Sequence, residues 1–278
     1  MQKNGGVVKL SNLTAKSGSN FEGKAFKVMN DIDMAGVDIN PISGSESAGF
    51  SGKFDGNGKT LRNLVMNKVL MDVPYIGLFG KLNAASEVSN LTIGMGSSIY
   101  GVGYVGAFAG ATAGKIVNCT NYASINATAS NLGGIVGYAD GGAVIEKCAN
   151  YSLVKSTKDY VGGIVGKAGN NVTVVKILDC VNEGAVSGTT RVGGIAGHAE
   201  LVEMQSLSNK GEVKGTSANV GGLVGYTNGR ADIKTSATLL SEFKVLFQKD
   251  QRKDAPFTPL RPGAGKPFRT LAIAGWIC

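Results

Sequence analysis

The sequence predicts an all-β chain, a parallel β-helix read as right-handed, with about 28–31 residues in each coil of its repeat region. Three observations predict it. A glycine-rich block recurs six times, two further columns keep register with it, and the apolar runs are short and carry no helical stripe.

The blocks are Ile76–Gly80, Val105–Gly110, Leu132–Gly137, Val161–Gly166, Val192–Gly197 and Val220–Gly225. Their final glycines, at 80, 110, 137, 166, 197 and 225, are separated by 30, 27, 29, 31 and 28 residues. Such drift at constant register suits a solenoid, where each unit touches only its neighbours and insertions fall in loops. The second column is Leu91, Cys119, Cys148, Cys180, Leu207 and, weakly, Ser236. The third is Asn121, Asn150, Asn182 and Asn209, followed four residues later by Ile125, Val154, Val186 and Val213. Val, Ile and Thr in short runs broken by glycine read as strands, with room for roughly three per unit.

Stacking gives each column a role. Ile135, Ile164, Ile195 and Leu223 should form an internal apolar ladder. The four asparagines should form an amide ladder, at a corner whose left-handed backbone asparagine tolerates. Val161 and Ile164 lie three apart, so alternation alone cannot bury both; a corner must intervene, or the outer face is covered there.

The runs 26–34 and 50–61 are strand-like and should supply the first coils. This divides the chain into an N-terminal cap over 1–25, a β-helix over 26–238 and an atypical basic tail over 239–278. The tail holds four of the six prolines and the single tryptophan. Stacked strands reject that proline density, so it reads as a different cap, a linker, or sequence from a truncated or shifted reading frame.

Gly222-Leu223-Val224-Gly225, with Asp31-Ile32-Asp33-Met34 and Phe54-Asp55-Gly56-Asn57-Gly58 ahead of the repeats, resembles the GLUG-motif family over roughly residues 20–236. The resemblance implies a parallel β-helix of bacterial surface or secreted proteins. Related repeats occur in the accessory region of immunoglobulin-A-specific metallopeptidases. Fold likeness brings no activity with it.

Charge argues against nucleic acid as a partner. Of the net +8, residues 1–227 contribute 19 basic against 16 acidic side chains, a balance of +3, and residues 228–278 contribute 9 against 4, a balance of +5. The body therefore lacks the basic stripe a nucleic-acid groove needs. No apolar run is long enough to span a membrane, and an export signal would lie outside this chain.

Few residues offer chemistry. Cys119, Cys148 and Cys180 have no histidine to complete a metal set and share their column with Leu91 and Leu207, so they read as small core hydrophobes. His198 occupies the slot of Lys81, Ala111, Tyr138, Lys167 and Tyr226, which reads as a variable surface position. Asp31, Asp33 and Asp55 are the best acidic cluster for a carbohydrate-active enzyme, with turn chemistry as the alternative. Six tyrosines are the candidate ligand-binding residues: Tyr104 and Tyr160 ahead of blocks, Tyr122 and Tyr151 in one column, Tyr138 and Tyr226 in another. Their flat faces suit sugars, or else they pack across rungs.

The expected function is thus a non-catalytic extracellular or cell-surface module, part of a larger polypeptide, acting as adhesin, scaffold or spacer. Its partner would be a glycan or a host or bacterial surface protein, with no cofactor or metal. The alternatives are a β-helix hydrolase or lyase, or the docking region of a secreted peptidase.

Overall fold

The computed structural model describes residues 20–37, 39–43, 49–68, 74–170, 172–228, 231–234 and 236–238. The tail over 239–278, and the expected cap over 1–25 apart from residues 20–25, lie outside the described residues. Among the described residues every regular element is a strand, and the strands stack in about seven parallel coils.

One coil shows the pattern. Lys115–Val117, Thr120–Asn121, Ser124–Ala127, Leu132–Gly133 and Val136–Ala139 follow one another, and each pairs in parallel with its counterpart one coil on. The coil thus has five short strands where about three are expected. Two features divide it further. A left-handed residue (Asn90, Asn118, Lys147, Asp179 or Ser206) splits one face, and the glycine block splits another.

The columns pair as the spacing requires. Ile125, Val154, Val186 and Val213 lie side by side on successive coils and are buried. So do Val88, Ile116, Ile145, Ile177 and Met204. Each such side chain contributes about 1.5–3 kcal/mol by leaving water. At the N-terminal end the stack closes on aromatic rings. Phe50 lies 4.9 Å from Phe79 and 5.8 Å from Phe21, whose ring meets Phe26 edge-on at 5.7 Å.

The thiols are core groups, as expected. Cys119, Cys148 and Cys180 are free and buried, and each Sγ lies near the carbonyl two residues before it, at 3.4, 3.3 and 3.2 Å. Burial pushes the Cys119 and Cys180 thiols well above their ordinary range. All three are buried, so they should resist a thiol reagent in the native chain and react once urea unfolds it. Immediate labelling of all three without denaturant would contradict the ladder.

The asparagine ladder exists, but at a different kind of site. Asn121, Asn150, Asn182 and Asn209 are fully buried, and the left-handed positions are other residues. Each of the first three donates from Nδ2 to Oδ1 of the next at 2.8 Å. The second Nδ2 hydrogen goes to the carbonyl two residues on, 2.8–3.0 Å away. Asparagine recurs here because its amide is both donor and acceptor, so a buried column can satisfy itself from coil to coil.

The glycine block resolves the problem of Val161 and Ile164. Val161–Gly162 belongs to one sheet and Val165–Ala168 to another, with Gly163-Ile164 as the corner between them. Val161, Ile164 and Val165 are all fully buried. The two strands then lie backbone against backbone, so the outer face is covered too. A Cβ on Gly162 would strike the Val165 carbonyl oxygen and approach Ile195 O at 2.7 Å and Gly197 N at 2.8 Å. A Cβ on Gly163 would run into the Asn182 amide. The paired glycines therefore do two jobs, one for the strand layers and one for the amide ladder.

Candidate functional site

Folding the strands together at each block brings two columns to one surface. The residue before the block gives Tyr75, Tyr104, Asn131, Tyr160, Arg191 and Asn219; the residue after it gives Lys81, Ala111, Tyr138, Lys167, His198 and Tyr226. Their side chains form a strip across the coils. The rings of Tyr75 and Tyr104 stack at 5.3 Å, and Tyr104 lies 5.7 Å from Tyr138. The Lys167 ammonium is 5.8 Å from the Tyr138 ring, and its Nζ is 3.9 Å from a Glu200 carboxylate oxygen. The His198 ring is 5.5 Å from Tyr160 and 5.3 Å from Tyr226. The Arg191 guanidinium sits 4.8 Å from the Tyr160 ring and 5.2 Å from the Tyr226 ring. Such contacts fix the cation and leave its edge to bond elsewhere.

The backbone of the strip is strained where it is most polar. Asn131 and Asn219 take left-handed φ values of +63° and +64°, which asparagine accepts. In the two coils between them Tyr160 and Arg191 hold φ values of +59° and +52°. A side chain other than glycine or asparagine costs about 1–2 kcal/mol in that region. The corner is set by the fold, and these two coils fill it with an aromatic ring and a guanidinium.

His198 is the main correction to the surface reading. It is 5% exposed, enclosed by Tyr160, Tyr226 and Arg191. Burial holds its pKa below the ordinary value, against the opposing pull of Asn228 and Glu200. Its Nε2 is 2.9 Å from Asn228 Oδ1 and 3.6 Å from Glu200 Oε1. Further along, Tyr138 donates to Asp140 Oδ2 at 2.7 Å. Burial first, and then that hydrogen bond, push the Tyr138 phenol well up.

The six expected tyrosines divide between two places. Tyr104, Tyr138, Tyr160 and Tyr226 belong to the strip. Tyr122 and Tyr151 instead stack at 5.0 Å beside the strands Thr120–Asn121 and Ala149–Asn150. Their column continues as Glu183 and Lys210, an ion pair at 2.7 Å. Sequence reading missed Tyr75, Arg191 and the joining of the two columns. The available signal was the residue before each block, which in five of six units is tyrosine or asparagine.

The acids do not gather. Asp31 and Asp33 flank Ile32, which pairs with Leu61, whereas Asp55 pairs with Lys27 at the other end of the strand Lys53–Arg62. Five residues of bulged strand separate those places, about 15 Å at ordinary rise. Each carboxylate serves local structure. Asp31 accepts from Thr60 N at 2.9 Å, Asp33 from Ala35 N at 3.0 Å and Asn63 Nδ2 at 2.8 Å. Asp55 accepts from Asn57 N at 2.8 Å and Asn90 Nδ2 at 3.0 Å, and the Asn90 bond is the main cause of its lowered pKa. Asp55-Gly56-Asn57-Gly58 is a bulge within a strand and not a chain reversal, because the parallel coil continues through it. Among the described residues no group of three His, Cys, Asp or Glu could hold a metal ion. Nor is any helix there long and apolar enough to cross a membrane.

These features define a class: a parallel β-helix bearing an aromatic and cationic strip across its coils. No family model matches the chain. Halomucin of Haloquadratum walsbyi (strain DSM 16790 / HBSQ001) is 35% identical over 199 residues, 63% of this chain and 2% of halomucin. The chain therefore spans a small fraction of that relative's length. A crystal structure of a "putative immunoglobulin A1 protease" from Bacteroides ovatus superposes with a TM-score of 0.62 at 21% identity, covering 88% of this chain and 78% of that one. That likeness is one of fold.

Proposed function

We propose that this chain is a non-catalytic scaffold module of a larger secreted or cell-surface polypeptide, and that it binds an extended glycan along the tyrosine strip. The strip carries the reading: rings of five tyrosines face one surface over six coils, joined by lysine, arginine and histidine. Aromatic faces suit the apolar faces of sugar rings, and repeated weak contacts along a chain add up. Halomucin supports the module reading, since the likeness falls within a very small share of a long protein. The GLUG-type block is part of the same proposal. So is a second reading as the docking region of a secreted peptidase, which draws on the description of the Bacteroides ovatus neighbour.

A glycan array read by binding, with reducing-end release measured in parallel, tests the proposal. Binding without turnover, weakened at least tenfold by Tyr138→Ala or Tyr226→Ala but unchanged by Tyr122→Ala, is the expected result. Turnover abolished by Asp31→Asn or Asp55→Asn in a folded chain would replace this reading with an enzyme.

A further inference from the structure

Resting on the strip as a glycan-binding face, we propose that Arg191 forms a subsite for an acidic sugar, one whose carboxylate or sulfate takes the guanidinium edge. The Arg191 guanidinium is held between the rings of Tyr160 and Tyr226, and no carboxylate among the described residues pairs with it. The nearby Glu200 carboxylate is matched by Lys167, 3.9 Å away, so Arg191 is the unmatched charge of the cluster. A planar, stacked guanidinium without a partner is prepared for a forked bond to an oxyanion.

Among the described residues three enclosed polar side-chain atoms lack a partner, and all three belong to this strip: Arg191 Nε, His198 Nδ1 and Asn131 Oδ1. Native chains rarely leave such atoms unmet, and a ligand is one explanation. Arg191 Nε is a donor that needs an oxygen. His198 Nε2 faces two oxygens, of Asn228 and Glu200, so it carries the ring proton. That leaves Nδ1 as an acceptor, and Asn131 Oδ1 is a second acceptor two coils earlier, about 10 Å away. An acceptor on the coil of the cationic donor, and a second two coils away, match a glycan chain whose hydroxyls donate and whose acidic group accepts. A purely neutral sugar leaves the Arg191 charge unanswered. The three atoms are enclosed, so seating the sugar entails rotation of half-buried Tyr160, Arg191 or Tyr226.

The test is calorimetric titration of the full chain with an oligogalacturonate and with its fully methyl-esterified form, which shares the backbone and lacks the charge. Dextran sulfate against dextran separates sulfate from carboxylate. The acid form should bind at least tenfold tighter than its ester, or dextran sulfate tighter than dextran. Arg191→Gln should erase the difference while Arg191→Lys restores only part of it. Lys115→Gln removes the same charge from an exposed position on another sheet and should leave the preference intact. Equal loss from Lys115→Gln and Arg191→Gln would mean that net charge alone attracts the polyanion, and would overturn the subsite. Equal binding of charged and neutral forms, still weakened by Tyr226→Ala, would also overturn it and leave the glycan-binding strip standing. No binding of any of the four would remove both.

Discussion

Gly162→Ala should destabilise the chain by about 4 kcal/mol, toward the extreme of single substitutions. The added methyl would meet three backbone atoms, the carbonyl oxygens of Val165 and Ile195 and the amide nitrogen of Gly197. None is the end of a flexible side chain, so relief requires separating two strand layers along with their buried valines and isoleucines. Gly142→Ala is the control. Its φ of +85° disfavours a side chain, but nothing lies within 4 Å of the added carbon. It should cost only the roughly 1–2 kcal/mol of a left-handed alanine. Urea titrations of both variants measure the contrast, and similar midpoints would show that the layers are not in backbone contact.

Asn182→Leu should cost about 3–5 kcal/mol although it keeps a side chain of similar size. Asn150 would lose the acceptor for one amide hydrogen and Asn209 Oδ1 would lose its donor, each bond being 2.8 Å in the ladder. The Gly184 carbonyl would lose its partner as well. An abandoned buried polar group costs about 1–3 kcal/mol. Asn182→Asp should be comparably destabilised at neutral pH, where two acceptors would face each other at Asn209. Its pH dependence gives the sign. Burial raises the folded carboxyl's pKa above its unfolded value of about 3.9. The folded state then holds the proton over a range where the unfolded state has lost it, so relative stability rises as pH falls toward that value. Unfolding midpoints at pH 7 and pH 4.5, compared with the parent chain, report this directly.

The columns were legible because they are a property of spacing. Cys119, Cys148 and Cys180, and the four asparagines, pair in the register their separations imply. Even the weak Ser236 is in place, its Oγ accepting from Leu207 N at 3.2 Å. What spacing cannot convey is how far a coil bends between columns. Whether the residues before and after a block share a surface depends on the corner at Gly163-Ile164, and local alternation does not encode that corner. His198 was misread for the same reason. Its slot varies in sequence, but Tyr160 and Tyr226 come from neighbouring coils to enclose it. The asparagine ladder was legible as a ladder but misplaced. Asparagine is favoured both at left-handed corners and in buried amide stacks, and composition does not separate the two. The acids near Asp55 were kept apart by a bulge that only the pairing reveals.

Folding at the glycine block joins two sequence columns into one strip. Ring-to-ring nuclear Overhauser contacts test it most directly, in a deuterated chain with protonated tyrosine and histidine rings. Eight tyrosines and one histidine keep the spectrum simple. The structure requires contacts from His198 to Tyr160 and Tyr226, with centroids 5.5 and 5.3 Å away, and from Tyr104 to Tyr138 at 5.7 Å. Tyr122 and Tyr151 should contact each other and not His198. Absence of the His198–Tyr160 contact, with the Tyr122–Tyr151 contact present, would leave the stacked coils intact and contradict the strip.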